Sequence, residues 1–123
     1  MTSAELSSLA ESTVASTQRK LPASLRSLAM AVPVIHHDWP SDEILGDEFE
    51  PDILGMFVGP PFGATSGETS EPPPQILLFI ENLWDYSDGD KTTYVQEVKL
   101  TYLHELGHYF GWDEDEVAAR GLD

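Results

Sequence analysis

Leu6, Leu9, Ala10 and Val14 recur at steps of three and four along residues 4–14, the stripe that one face of an α-helix presents. Serine and threonine fill the positions between them, so residues 1–20 read as a weak N-terminal helix. Leu21-Pro22 punctuates it, and residues 23–30 read as a second short helix with Pro22 near its first turn. Residues 31–35 then read as a buried strand. Pro40-Ser41-Asp42-Glu43 turns into a short helix that Gly46 ends, and residues 53–58 make a second strand. Residues 59–74 hold five prolines and three glycines with little that could pack, which predicts a long loop. The apolar run 75–80 is the third strand. Ser87-Asp88-Gly89-Asp90 is turn chemistry, with Asp90 as N-cap of a long helix over 91–110 that Gly111 ends. On that helix Val95, Val98, Tyr102, Leu106 and Phe110 fall at helical spacing and are expected to face the core. Asp113 and Glu116 make a capping-box pattern for a last short helix carrying Val117, Ala118 and Ala119.

A chain of 123 residues fits one domain over its whole length, with enough material for a core. Its 41% hydrophobic content and three tryptophans argue for a folded protein despite the abundant acid. Lys and Arg number 6 against 22 acidic residues, a formal charge of -16, so nucleic acid and anionic membrane surfaces are repelled. Cationic peptides or basic proteins are attracted instead, most strongly at low salt, although the same charge also serves solubility. The most apolar run, 28–35, is too short to span a bilayer, and the first residues lack an apolar signal-type core, which together predict a cytoplasmic protein. Cysteine is absent, so any bound metal must be held by imidazole nitrogen and carboxylate oxygen.

Candidate ligands of that kind stand together in His104-Glu105-Leu106-Gly107-His108. At about 100° per residue the two histidines lie about 40° apart on the helix and one turn apart along it, so both rings can point at one ion. Glu105 projects from the neighbouring face, where its carboxylate can reach a water on that ion; it is the candidate general base for amide hydrolysis. A catalytic zinc takes three protein ligands. Gly111 can turn the chain back in a left-handed conformation, which brings Asp113, Glu114 and Asp115 into consideration. If Asp113 caps the terminal helix, Glu114 is the choice for third ligand, with Asp113 second. His36-His37-Asp38 is another cluster of ligand-type residues, read as a solvent-exposed turn where a strand ends. The neighbourhoods of Trp39-Pro40 and Trp84 read as core or rim.

The stretch His104-Glu105-Leu106-Gly107-His108-Tyr109-Phe110-Gly111-Trp112-Asp113-Glu114 resembles the signature of the minimal zincin-like family of zinc metallopeptidases. The likeness extends to Ile53-Leu54-Gly55-Met56-Phe57-Val58-Gly59, to Pro74-Gln75-Ile76-Leu77-Leu78-Phe79 and to residues 114–121, in the family's order. It covers most of the chain after Leu21. The resemblance implies a small α+β domain with a short sheet beside the metal helix, and an acidic residue, often Asp, ten positions after the first histidine. Glu114 stands there; it keeps the carboxylate and lengthens its reach by one methylene. Sites of this type bind substrate as a strand added to a sheet edge, which would place a peptide along an edge near residues 75–80, but Ile76, Leu77, Leu78, Phe79 and Ile80 are of types more often found in a core than in a groove, and the core reading is the stronger. Tyr109, Tyr102 or a histidine from elsewhere is expected to stabilise the oxyanion.

Taken together, the residues predict an α+β fold in which a short mixed sheet packs against a long metal-binding helix. They predict a peptidase carrying one zinc ion on His104, His108 and Glu114, with Glu105 as base. The competing class is a non-catalytic metal-binding or protein-interaction module on the same scaffold, its acidic surface recruiting a basic partner.

Overall fold

The computed structural model describes residues 1–60 and 73–111. Helix α1, Ser3–Arg19, opens with a capping box in which Thr2 accepts from the Glu5 N–H and the Glu5 side chain bonds back to Thr2. It is longer than the stripe that predicts it, and it is not peripheral: Leu6 and Ala10 are fully buried. Its threonines do not weaken it, because Thr13 and Thr17 turn their hydroxyls to the Leu9 and Thr13 carbonyls at 2.7 and 2.8 Å and can then be buried. Arg26 holds the turn that follows by donating to the Arg19 and Leu21 carbonyls. Helix α2 is Ala23–Met30, as the sequence predicts.

Strand β1 is Val34–His37, three residues later than expected. The reason is local: the Ala31 and Val32 N–H groups still bond into the end of α2, and Pro33 has no N–H for a ladder. Nor is the strand fully buried, since Ile35 is 37% exposed. Helix α3, Asp42–Leu45, has Ser41 as its N-cap and stops at Gly46, whose φ of 54° suits glycine. Strand β2 is Gly55–Val58 and strand β3 is Gln75–Phe79. Ile80 does not extend β3 but begins helix α4, Ile80–Tyr86, which the apolar run conceals. Asp90 caps helix α5, Lys91–Tyr109, by accepting from the Thr93 N–H at 2.8 Å. The expected loop lies largely, and the expected C-terminal helix entirely, outside the described residues.

The sheet runs β1-β3-β2, with β1 parallel and β2 antiparallel to β3, so it is mixed. This order rules out a peptide-binding edge near residues 75–80 and bears out the core reading of that run. Strand β3 is paired on both sides and its Ile76, Leu78 and Phe79 are fully buried, as a central strand requires. Among the described residues no strand pairs with the outer side of β1 or of β2.

Helix α5 packs on β2 and β3, while α1 packs on α4 and α5. The buried stripe of α5 is Tyr94, Val98, Tyr102, Leu103, Leu106 and Tyr109. Val95 and Phe110, expected to face the core, are only half-buried, because the stripe starts one residue earlier at Tyr94. The Tyr94 hydroxyl donates to the Leu6 carbonyl at 2.8 Å, and Trp84 packs edge-on to the Tyr94 ring, 5.7 Å between centroids. Among the described residues no helix is long and apolar enough to cross a membrane.

Candidate metal centre

Because Tyr102, Leu103 and Leu106 are anchored in the core, the opposite side of the last turns of α5 is presented outward. His104 and Glu105 are half-buried there and His108 is exposed. The two Nε2 atoms stand 3.2 Å apart, with the rings nearly perpendicular at 89°. One nitrogen from each ring of His104 and His108 and one oxygen of Glu105 all lie within 4.8 Å of one another.

These residues pass a geometric test for a small cation. Two nitrogens each about 2.05 Å from one tetrahedral ion stand about 3.3 Å apart, close to the spacing of the two imidazoles. Imidazole and carboxylate without thiolate is a donor set suited to zinc. The sequence prediction for Gly111 also holds locally: its φ is 78°, and it directly follows Phe110, the residue that closes α5. Glu114, Asp113 and Asp115, to which that turn would lead, lie outside the described residues.

Burial pushes the Glu105 carboxyl above the usual carboxylate range. His108, then His104, and a hydrogen bond from the Phe57 backbone hold it partly back. The Phe57 donor explains itself from the ladder. Leu54 accepts from the Phe79 N–H, so the backbone groups of Leu54, Met56 and Val58 face β3 and those of Gly55 and Phe57 point away from it. A cleft of about 430 Å³ opens beside the site, lined by Ile53, Leu54, Gly55, Leu100, Thr101, His104 and Glu105. Helical spacing and motif alone do not bring Gly55, Phe57, Leu100 or Thr101 to this site. A signal was present: an isolated glycine in a strand pattern often marks a close backbone approach, and Leu100 and Thr101 precede His104 by one helical turn.

The oxyanion candidates separate. Tyr102 is turned into the core, where its hydroxyl accepts from Gln18 Nε2 at 3.1 Å and burial raises its pKa. Tyr109 is buried with its ring 5.9 Å from that of Phe57, on the same side of α5 as β2.

His36 and His37 belong to β1, not to an exposed turn, and β3 lies between them and β2. His36 Nδ1 is 2.8 Å from Ser7 Oγ on α1, while His37 lies against Phe79. The Asp38 carbonyl accepts from the Glu81 N–H, tying the end of β1 to α4. Trp39 is 62% exposed, whereas Trp84 joins the core rim. Burial lowers the His36 pKa below its ordinary 6.5, with Glu11 opposing. A histidine lowered on folding stabilises the fold above its unfolded value and loses that contribution as pH falls through the window below about 6.5. His36→Gln, which cannot titrate, is therefore expected to flatten the fall in thermal midpoint between about pH 7 and about pH 5.5. Parallel pH profiles for the two proteins would contradict this.

No curated protein matches the sequence. A protein-family model described as zincin-like metallopeptidase matches residues 29–122, from the end of α2 to beyond α5. The chain belongs to the zincin-like metallopeptidase family.

Proposed function

We propose that this protein is a zinc-dependent peptidase in which His104, His108 and Glu114 hold the ion and Glu105 is the general base. The observation that carries the reading is the convergence of the His104 and His108 Nε2 atoms to 3.2 Å beside the Glu105 carboxylate. Bound zinc would supply Lewis acidity toward a water and toward the substrate carbonyl.

The remaining work falls to the chain. On the side of β2 away from β3, where no described strand pairs, the Gly55 backbone and the Phe57 carbonyl point outward while the Phe57 N–H is taken by Glu105, and an extended peptide can add along these groups as a further strand. The cleft on Ile53, Leu54 and Leu100 keeps the neighbourhood of the cut bond largely apolar, which strengthens polar interactions there. Glu105, held above the ordinary carboxylate range by burial, suits a group that takes a proton from water and returns it to the leaving amine. The charge of -16 favours peptides rich in Lys and Arg, with faster capture at low ionic strength.

Metal analysis and a peptide assay together test the reading. Protein incubated with zinc and dialysed is expected to retain one zinc ion per chain, and His104→Ala or His108→Ala to reduce that content at least tenfold under the same dialysis. The zinc-loaded protein is expected to cleave an unstructured lysine-rich peptide, with activity removed by a chelator and restored by zinc. A chain that retains no zinc, or a loaded chain that cleaves no unstructured peptide, would overturn the assignment.

A further inference from the structure

Strand β2 runs along α5, and two contacts between them are in step. At Gly55 an added Cβ would lie 2.6 Å from Thr101 Cγ2, closer than side chains tolerate, and a tight 3.0 Å from the Leu77 carbonyl oxygen. Two residues further along β2, the Phe57 backbone bonds to Glu105, which follows Thr101 by four residues on α5. Two strand residues advance about 6.8 Å and four helical residues about 6.0 Å, so both contacts can be satisfied at once. Gly55 and Phe57 share one face of the sheet, and the Phe57 ring meets Tyr109 a further turn along the helix.

From this register we propose that Gly55 is a positioning residue for Glu105: its missing side chain lets β2 close on α5 until the Phe57 N–H holds one carboxylate oxygen and orients the other toward the histidine pair. The proposal rests on Glu105 serving as the base. A methyl at Gly55 must push the strand away from Thr101, and the separation is felt one helical turn later at Glu105. Misplacement of a reacting group by about 1 Å is enough to lower turnover on the order of a hundredfold. Thr101 is the movable partner in this contact, since its methyl can be deleted, whereas the Leu77 carbonyl is part of the central strand.

The test follows turnover, zinc content and the Phe57 amide by NMR hydrogen exchange in Gly55→Ala, Thr101→Ala and the double variant, all as full chains. Gly55→Ala is expected to lower kcat at least tenfold with KM changed much less, to keep its zinc, and to speed exchange at Phe57. The double variant is expected to recover most of both losses relative to Thr101→Ala. A purely structural glycine would lose melting temperature and zinc together, without rescue, and that pattern overturns the proposal. Should Gly55→Ala fail to fold, Glu105→Ala decides: it is expected to deprotect the Phe57 amide at least tenfold, and an unchanged amide overturns the proposal. The two readings fail differently. A protected Phe57 amide in a chain that cleaves nothing defeats the peptidase assignment, whereas cleavage with an unprotected amide defeats the positioning role alone.

Discussion

Glu105→Gln is expected to reduce peptide hydrolysis by roughly 10² to 10⁴-fold while leaving one zinc bound per chain. The substitution preserves shape and an acceptor for the Phe57 N–H, but an amide cannot take a proton from water at neutral pH. Because His104 and His108 supply the paired nitrogens on their own, the ion should not depend on this carboxylate. Zinc content measured beside single-turnover cleavage checks both halves. Loss of zinc in the variant would move Glu105 from base to ligand, and unchanged cleavage would remove it from the chemistry. The same exchange has a signature in the metal-free protein. Burial raises the folded carboxyl above its ordinary 4.5, so its contribution to stability is present below that value and lost as pH rises through the raised one. Metal-free Glu105→Gln is thus expected to melt above the wild type near neutral pH, with the gap closing on acidification toward about pH 4.5. A wild type that melts higher at neutral pH would count against burial as the leading influence.

Tyr94→Ala is expected to destabilise the fold by about 3–5 kcal/mol, lowering the thermal midpoint by roughly 10–20 °C. Tyr94 is fully buried, bonds across to the Leu6 carbonyl and supports the Trp84 ring, so it joins α5, α1 and α4 at one point. Truncation removes the ring from all three and leaves a cavity that three anchored helices cannot close. Tyr94→Phe isolates the hydroxyl and is expected to cost only about 0.5–1.5 kcal/mol. Chemical denaturation of the two variants separates ring from hydroxyl. A Tyr94→Ala protein within about 1 kcal/mol of the wild type would mean that α1 is not held to the core in this way.

Much of the fold could be read because several elements are specified locally. Helix α2, helix α3 and the start of α5 carry their boundaries in Pro22, Ser41, Gly46 and Asp90, residues whose backbone preferences act within one turn. Where the reading departed from the structure, a distant partner decided. The threonines of α1 look unfavourable until Thr13 and Thr17 are seen bonded within the helix and buried in a helix that packs on α4 and α5. Ile80 continues an apolar run, and whether it ends β3 or starts α4 depends on Leu83 finding the core and Glu81 finding the Asp38 carbonyl. His36 looks like a surface residue until Ser7 arrives from α1.

By itself the sequence determined the pairing of His104 with His108 and the offset of Glu105, because helical periodicity places residues four apart on one face whatever surrounds them. It also determined the turn at Gly111, since a glycine after a helix reaches a positive φ without steric cost. Only the tertiary structure decided that β3 is central, that β2 is an outer strand of the described sheet beside the site, and that Gly55 meets Thr101. Strand order and the approach of a strand to a helix arise from burial summed over the whole core, a quantity that no short stretch of residues carries.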